Sequence, residues 1–260
     1  MAEAILVGSG LTKRFGGIRA VDEASFAVER GSITALIGPN GAGKTTLFNL
    51  LTGFVKPDVG TVELEGRSIF SKPPYAIARR GMMRTFQLTK ALIAMTVLEN
   101  MMLGAADQPG ERLLGLALHP RRSRRREREV RARAIELLER FELGRLAGAY
   151  AGTLSGGQRK LLELARLLMA EPRLVLLDEP LAGVNRVLAA RILAHLHELR
   201  AERGTTFFLI EHDLDSVMGN ADRVIVMAQG RVIADGPPHV VQRDPRVIDA
   251  YLGTRRGRGT

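Results

Sequence analysis

Cysteine and tryptophan are both absent from the 260-residue chain, and only 5% of its residues are aromatic. Without cysteine the chain can form no disulfide framework and no thiolate metal site, a composition that fits a reducing compartment. Long hydrophobic runs are also missing, because the most apolar uncharged stretch, residues 91–98, is far shorter than the roughly 18 residues of a membrane span. The first residues include Glu3 and no cationic stretch, which is unlike a signal peptide. We therefore expect a soluble chain with one large or two small domains.

The excess of positive charge, formally +10, is confined to two segments. Residues 121–133 hold eight arginines and two glutamates, the last seven residues hold three arginines, and the rest of the chain is almost neutral. A protein that follows a phosphate backbone has its positive charge spread over a binding face. We therefore expect no nucleic-acid partner. The arginine-rich segment is explained equally well as a solvated helical face or as a contact with anionic lipid headgroups.

The first half of the chain alternates between strand and helix patterns. Short alternation predicts small antiparallel strands within residues 1–30 and 60–66, and the apolar run 32–38 predicts a buried strand that a glycine turn joins to a helix. From about 70 to 150 the pattern becomes helical, and Gly144 is the expected end of its last helix. The apolar face of that helix carries Val130, Ala134, Leu137, Leu138 and Phe141.

The second half predicts parallel strands joined by crossover helices. A leucine-rich helix is stopped by Pro172, and the apolar runs 173–180 and 205–213 flank a helix from about 186 to 203. Residues 223–236 predict a hairpin around Gln229-Gly230. This order favours an α/β fold with a mostly parallel core sheet, an antiparallel β part and a helical part.

The strongest motif is "GPNGAGKTT", which follows the strand at 32–38 and opens a helix. It fits the pattern G-x-x-x-x-G-K-[ST], in which backbone N–H groups wrap the α- and β-phosphates of a nucleotide. Lys44 would reach the β- and γ-phosphate oxygens, and the Thr45 hydroxyl could bind Mg²⁺. The alternative is an ordinary glycine turn with a surface lysine. The candidate nucleotide ligands are Gly38, Pro39, Asn40, Gly41, Ala42, Gly43, Lys44, Thr45 and Thr46.

Two adjacent carboxylates, Asp178 and Glu179, end the apolar run "RLVLL". Alone, such a pair is usually the start of a solvated loop. Beside a phosphate-binding loop it would lie at the carboxyl end of a central strand, where open α/β sheets bind ligands. Asp178 is then the candidate ligand of Mg²⁺, and Glu179 the candidate base that accepts a proton from the attacking water.

A second glycine motif, "LSGGQ" at 154–158, precedes the leucine-rich helix. Ser155 can cap the helix, and the amides of Gly156 and Gly157 with the helix dipole could bind a phosphate. The first glycine loop already holds one triphosphate, so the economical explanation is that this second loop covers a nucleotide bound by another subunit. The alternative is a core helix with an N-cap and a flexible start.

Taken together, these motifs resemble those of the ATP-binding cassette (ABC) ATPase subunits over essentially the whole chain. "GPNGAGKTT" is similar to Walker A, "LVLLDE" to Walker B and "LSGGQ" to the signature, which implies nucleotide contacts from Ser155, Gly156, Gly157 and Gln158. The resemblance also implies that Phe15 stacks on adenine, that Gln87 senses Mg²⁺ and the attacking water, and that His212 contacts the γ-phosphate. Taken singly, Phe15 could be a core residue, and a lone glutamine or histidine is more often structural than catalytic; only their order and spacing among the stronger motifs favours the functional roles.

The resemblance implies a P-loop NTPase fold with a helical subdomain of about 88–172 that carries the signature, within a single domain of residues 1–260. It implies catalytic roles for Glu179, His212 and Gln87, and Mg²⁺ ligands Thr45, Gln87 and Asp178. ATP would be bound between two chains, each of which completes the other's site. The departure is Asn185, where the commonest family loop has Asp, which leaves the role of this residue open.

Residues 88–150 and the end "VIDAYLG" resemble the ATPase subunits of branched-chain amino-acid importers. The implied partners are integral membrane permease subunits, a second ATPase subunit, identical or a paralogue, and indirectly a solute-binding protein. The implied location is peripheral, on the cytoplasmic face of the cell membrane. Alternatives are the ATPase of a urea or amide importer or of a lipopolysaccharide exporter, a nucleic-acid-associated ABC protein, and a binding module without hydrolysis. The last would show decay at Lys44, Asp178, Glu179 or His212, and none is decayed.

Overall fold

A computed structural model of the chain describes residues 3–85, 92–106, 120–212 and 214–256. The chain divides into two compact units. The first comprises Met1–Arg84, Arg173–Gly183 and Leu193–Thr260, and the second comprises Thr85–Pro172 and Val184–Ile192. Within the described ranges, no helix combines the length and the apolar character that a membrane span requires.

The first unit is built on a six-stranded sheet. Its strands are β3 (Ile33–Ile37), β6 (Met82–Arg84), β7 (Leu174–Asp178), β8 (Thr206–Ile210), β9 (Arg223–Ala228) and β10 (Arg231–Gly236), in the spatial order β10-β9-β3-β8-β7-β6. Only the β9–β10 pair is antiparallel, and the other four pairs are parallel. Every residue of β3, β7 and β8 is buried, as expected for parallel strands covered on both faces.

A second, antiparallel sheet belongs to the same unit. Its strands are β1 (Ala4–Phe15), β2 (Ile18–Glu29), β4 (Val59–Leu64) and β5 (Arg67–Ser68), in the order β2-β1-β4-β5. The alternation in the sequence is confirmed, since Val62 and Leu64 are buried. β1 and β2 are longer than the predicted short strands, at 12 residues each.

The buried core of the first unit joins both sheets to helix α1 (Lys44–Leu51). Three phenylalanine rings pack in it: the Phe208 centroid lies 5.0 Å from that of Phe48 on α1 and 5.8 Å from that of Phe26 on β2. Because β3 and α1 are both anchored in this core, the glycine loop between them has fixed ends. The unit also contains helix α2 (Pro74–Ala78).

Among its described residues, the second unit contains helices α3 (Val97–Met102), α4 (Pro120–Arg140) and α5 (Gly156–Leu168). The predicted apolar face of α4 is confirmed, because Val130, Ala134, Leu137, Leu138 and Phe141 are all buried. α3 begins with a capping box, in which Thr96 and Glu99 exchange hydrogen bonds. The side chain of Asn100, fully buried, bonds the backbone of Leu92, Met95 and Thr96 and so fixes the chain entering α3.

Helix α6 (Arg186–Arg203) confirms the predicted helix at 186–203, and the β9–β10 hairpin turns at Gln229-Gly230 as predicted. The last helices are α7 (Leu214–Asn220), α8 (Pro238–Val241) and α9 (Pro245–Arg256). The predicted P-loop α/β architecture is therefore confirmed.

Three details of the predicted elements are wrong. Residues 82–84 form strand β6 inside the segment expected to be helical, because three residues are too few to show a period. Helix α4 ends at Arg140 and not at Gly144, because Glu142 adopts the left-handed conformation, with φ 58°. Strand β7 lies between β8 and β6 and is not central, since β3 and β8 occupy the middle of the sheet.

Candidate nucleotide-binding site

The glycine loop leaves β3 at Gly38 and enters α1 at Lys44, as the motif predicts. Two of its glycines are required by close backbone contacts as well as by their positive φ angles, 149° at Gly38 and 98° at Gly43. A Cβ atom at Gly38 would lie 2.0 Å from the carbonyl oxygen of Met227, and one at Gly43 would lie 2.2 Å from that of Ala20. The loop therefore keeps its shape only with glycine at both positions.

Lys44 is buried, and its Nζ donates hydrogen bonds to the carbonyl oxygens of Gly38 (2.7 Å) and Pro39 (3.1 Å). Burial lowers the pKa of Lys44, while the charges of Glu179 and Asp178 act in the opposite direction. The ammonium group thus lies inside the curve of the loop with both carboxylates in electrostatic range. A negatively charged ligand bound there would accept the hydrogen bonds that the Lys44 ammonium group now donates to the two carbonyl oxygens.

A cavity of about 450 Å³ opens over this loop. It is lined by the loop from Asn40 to Thr46, by Glu179 and His212, by the first three residues of β2 (Ile18, Arg19 and Ala20) and by Gln229 of the β9–β10 turn. Two loop residues predicted as ligands, Gly38 and Pro39, are not among the lining residues. Phe15 is also outside the lining; its ring is half exposed, 5.5 Å from the Lys13 ammonium, and Phe15 pairs across the hairpin with Ile18.

Glu179 and His212 meet at the carboxyl ends of neighbouring strands. His212 Nε2 and Glu179 Oε1 are 2.7 Å apart, and both residues line the cavity. Glu179 has a left-handed backbone, with φ 51°, and its N–H donates to the carbonyl oxygen of Ile210 at the end of β8. Strain of this kind persists only where the surroundings enforce it. The sequence predicted both residues as site residues, and the fold brings them into contact.

Glu211 is a buried carboxylate of this region that the sequence analysis missed. Its Oε1 accepts a hydrogen bond from the N–H of Leu181 (2.8 Å), and its Oε2 accepts one from the N–H of His212 (3.2 Å). It thereby connects the loop after Glu179 to the loop of His212. Burial raises the pKa of Glu211, and the two backbone N–H groups partly offset that rise. A glutamate directly after an apolar strand, beside a candidate histidine, was the available signal.

The Glu211→Gln variant should change the pH dependence of stability. Because the pKa of Glu211 in the folded chain lies above its ordinary value of 4.5, the folded state binds more protons than the unfolded state between those two values. Stability therefore falls as pH rises through that interval, and the variant lacks this component. As pH rises from below this interval to above it, the free energy of unfolding of the variant should therefore increase relative to that of the wild type. The increase should be about 1.4 kcal/mol for each unit by which folding raises the pKa of Glu211.

Urea unfolding followed by circular dichroism at several pH values from 4.5 to 8 measures this difference. The exposed glutamate Glu63 gives the control variant Glu63→Gln. Parallel pH profiles for wild type and Glu211→Gln would contradict the prediction.

Asp178 is buried and forms an ion pair with Arg84, in which Nη2 lies 2.7 Å from Oδ2. Arg84 ends strand β6, two residues before the segment that carries Gln87. The sequence predicted a role for Gln87, three residues later, and none for Arg84. A single residue at the end of a three-residue strand gives no periodic signal, so only the structure reveals it.

The residues present fit a magnesium ion. Among the described residues, no group of three or more His, Cys, Asp or Glu side chains is placed to hold a metal. Mg²⁺ in nucleotide sites takes one or two carboxylates together with phosphate oxygens and water, so no larger cluster is required. The Thr45 hydroxyl and the Asp178 carboxylate are hard oxygen donors of the kind it prefers. The third predicted ligand, Gln87, lies outside the described residues.

The signature motif lies in the second unit, at the start of α5. The Ser155 hydroxyl accepts a hydrogen bond from the N–H of Gln158 (3.2 Å), and the Gln158 side chain accepts one from the N–H of Ser155 (2.9 Å), which confirms the predicted cap. A Cβ added to Gly156 would meet no atom within 4 Å, whereas one added to Gly157 would lie 2.5 Å from Leu188 Cδ2. The loop therefore presents an open surface at Gly156.

The Asn185 side chain stabilises the start of helix α6. Its Oδ1 accepts a hydrogen bond from the N–H of Leu188 (2.9 Å), which caps the start of α6. Asparagine and aspartate are both strong N-cap residues, so either would support this helix.

Comparison with known proteins identifies the family. Residues 21–182 match the family profile described as ABC transporter, and residues 231–256 match one described as branched-chain amino acid ATP-binding cassette transporter. A high-affinity branched-chain amino acid transport ATP-binding protein of Pseudomonas aeruginosa is 42% identical, over 97% of this chain and 99% of the relative. A probable branched-chain amino acid transport ATP-binding protein of Archaeoglobus fulgidus is 43% identical, over 96% of each.

Solved structures agree with the sequence relatives. The crystal structure of the ADP conformation of an ATP-binding cassette of an ABC transporter superposes with a TM-score of 0.84 at 40% identity, covering 97% of this chain and 100% of the other. A dimeric cassette in a post-hydrolysis state, bound to ADP and Pi, gives a TM-score of 0.72 at 26% identity, covering 90% of this chain and 98% of the other. The chain therefore belongs to the ABC transporter family and is one of its ATP-binding, ATP-hydrolysing cassettes.

Proposed function

We propose that the chain is the ATPase subunit of an importer of branched-chain amino acids. The observation that carries the ATPase part is the Glu179–His212 contact in the same cavity as the glycine loop, because it places a base beside a phosphate cradle. The substrate rests on the relatives, which are named for branched-chain amino acid transport and match along nearly the whole chain. An importer of urea or amides and a lipopolysaccharide exporter are the alternatives.

Nucleotide binding uses the loop from Gly38 to Thr46. Its backbone N–H groups and the start of α1 receive the phosphates, and Lys44 transfers its hydrogen bonds from the loop carbonyls to phosphate oxygens. The half-exposed ring of Phe15 is our candidate for stacking on adenine, since its neighbour across the hairpin, Ile18, lines the cavity. Mg²⁺, held by Thr45, Asp178 and Gln87, would neutralise charge on the phosphates.

Hydrolysis is assigned to Glu179, His212 and Gln87. The Glu179 carboxylate orients the attacking water and accepts its proton, and His212, at 2.7 Å from that carboxylate, holds it in position and contacts the γ-phosphate. Gln87 completes the contact to the water. Together these roles describe an in-line attack of water on the γ-phosphorus, which breaks the bond to the β,γ-bridging oxygen.

A second cassette completes each site. Ser155, Gly156, Gly157 and Gln158 supply the helix start that covers the nucleotide of the neighbouring chain, whether that chain is identical or a paralogue. The dimeric cassette bound to ADP and Pi supports this arrangement. We place the signature in a helical subdomain of about 88–172 within one nucleotide-binding domain of residues 1–260. Closure of the dimer on ATP and its opening after hydrolysis would drive transport.

The permease is the proposed membrane partner. The ATPase would bind integral permease subunits on the cytoplasmic face of the cell membrane as a peripheral protein, and a solute-binding protein would act on it indirectly. We propose no nucleic-acid partner. The exposed arginines of α4 can serve as a solvated helix face or contact anionic headgroups.

Isolation of the chain from its native membranes, followed by mass spectrometry, should identify permease subunits bound to it. The purified complex, placed in vesicles with its solute-binding protein, should import radiolabelled leucine when ATP is supplied. A Lys44→Ala complex, which keeps the assembly but loses the ammonium group of the phosphate cradle, is the control and should import none. Import of urea in place of leucine, or stimulation of the ATPase by nucleic acid, would overturn the substrate assignment.

A further inference from the structure

Arg84 is a nearly buried cation whose guanidinium group contacts three polar side chains. Its side chain is 6% exposed and that of Asp178 is 2% exposed. Nη2 donates to Asp178 Oδ2 at 2.7 Å, and Nη1 donates to Asn49 Oδ1 at 2.7 Å and to Thr52 Oγ1 at 3.3 Å. One guanidinium group therefore connects the carboxylate at the end of β7 to helix α1, which begins at Lys44.

The register of the sheet explains why Arg84 reaches Asp178. Arg84 pairs with Leu176 across the parallel β6–β7 ladder, and Asp178 lies two residues further along β7, so all three side chains project from the same face of the sheet. That face is covered by α1, which carries Asn49 and ends one turn later at its C-cap residue, Thr52. The pair is thus built into the junction between the sheet and the phosphate-binding helix.

Arg84 itself is held on two further sides. Its guanidinium carbon lies 5.6 Å from the centroid of the Phe48 ring, and the Thr52 hydroxyl that it contacts is fixed by a 2.6 Å hydrogen bond to the Phe48 carbonyl. The planar fork of arginine directs separate N–H donors at Asp178 and Asn49 in a fixed geometry, which the compact ammonium of lysine on its flexible stem does not reproduce. A side chain so restrained can fix the orientation of the carboxylate it touches.

We propose that Arg84 is a positioning residue for magnesium, acting through Asp178. This inference rests on the proposed function, in which Asp178 is a Mg²⁺ ligand. Groups that orient the ligands of a metal typically account for about 10–100-fold in metal affinity. Within the described part of the chain, the hydrogen bonds and the ion pair of Arg84 go to Asn49, Thr52 and Asp178 and not to the glycine loop, so we expect the affinity for nucleotide without metal to be independent of Arg84.

Equilibrium binding of a fluorescent, non-hydrolysable ATP analogue to the full-length chain, with Mg²⁺ titrated from zero in a chelating buffer, tests the proposal. In Arg84→Met the Mg²⁺ concentration that gives half of the metal-dependent rise in affinity should increase by about 10-fold or more. Affinity for the analogue in EDTA should stay within about twofold of the wild type. In Arg84→Lys this Mg²⁺ concentration should lie between the values for the wild type and for Arg84→Met. Arg223→Met, which removes another ion pair of the same unit, is the matched control and should shift neither quantity.

Asp178→Asn separates this inference from the function on which it depends. If Asp178 is the ligand, Asp178→Asn should remove most of the Mg²⁺ dependence, and adding Arg84→Met to it should produce no further shift. Mg²⁺ dependence that survives in Asp178→Asn overturns the ligand assignment. An unchanged Mg²⁺ midpoint in Arg84→Met, or an equal loss of affinity in EDTA, overturns the role of Arg84 alone. Should Arg84→Met not fold, Asn49→Ala removes the second anchor and should shift the midpoint in the same direction; no shift there overturns the proposal as well.

Discussion

A Glu179→Gln chain should bind ATP and close into a dimer, yet hydrolyse ATP about a thousandfold more slowly, within the range that a positioned general base contributes. The amide preserves the shape of the side chain and its contact with His212 Nε2 at 2.7 Å, but it cannot accept the proton of the attacking water. The ATP-bound state should therefore accumulate. Single-turnover hydrolysis and light scattering with and without ATP measure the two effects.

The matched control for this prediction is Glu23→Gln. Glu23 shares the left-handed backbone of Glu179, with φ angles of 52° and 51°, but it is exposed and does not line the cavity. Replacing Glu23 by glutamine tests whether a glutamine in this backbone conformation affects the chain when the residue is not part of the site. Turnover by Glu179→Gln at the wild-type rate would require another base, and a loss of ATP binding in this variant would show that the side chain serves mainly to hold the loop.

The parts of the fold that the sequence predicted share one property, which is that the signal is local. The glycine loop requires the chain to turn at Gly38 and Gly43, and the structure shows why: backbone carbonyls lie where their Cβ atoms would be. The strands β3, β7 and β8 are buried throughout and so appear as continuous apolar runs. The cap at Ser155 needs only a partner three residues away.

The features that the sequence did not predict depend on contacts between distant segments. Arg84 and Asp178 are 94 positions apart in the chain, and Glu211 and Leu181 are 30 apart, so no window of sequence contains either pair. The end of α4 was misplaced for a related reason: the chain leaves the helix at Glu142, a non-glycine residue in the left-handed conformation, before it reaches Gly144. Buried charges and strained residues are decided by their tertiary surroundings, which periodicity does not describe.

These long-range contacts connect the pieces of the site. Glu211 joins the loop after Glu179 to the backbone of His212, and Arg84 joins Asp178 to α1. Asp178 and His212, two residues predicted for chemistry near the γ-phosphate, are therefore each bonded to a buried charged side chain that the sequence prediction did not include. Variants of Glu211 and Arg84 can accordingly alter the geometry of the site while the motif residues are unchanged.

A Gly156→Asp chain should retain ATP binding but lose hydrolysis by about a hundredfold or more, the cost of removing donors that stabilise transition-state charge. A side chain at Gly156 meets no atom within 4 Å, so the fold has room for it. An acidic residue in the first turn of α5 also favours the helix dipole, so stability should not fall. The same carboxylate would repel the phosphate that the neighbouring chain brings to this loop. Gly148→Asp is the matched control, because Gly148 has equally open space and lies in the same unit, outside the motif.

Mixing two inactive chains shows whether the nucleotide site is shared. Lys44→Ala lacks the ammonium group of the glycine loop, and Gly156→Asp lacks a usable signature loop. In a mixed dimer, the intact glycine loop of the Gly156→Asp chain faces the intact signature of the Lys44→Ala chain, so one complete site forms and hydrolysis should return. If both motifs served the same chain's nucleotide, every chain in the mixture would keep its own defect. For a chain that pairs with itself, a mixture as inactive as its components would exclude a phosphate-binding role for the signature across the dimer. A Gly156→Asp chain as active as wild type would exclude that role whether the partner is identical or a paralogue.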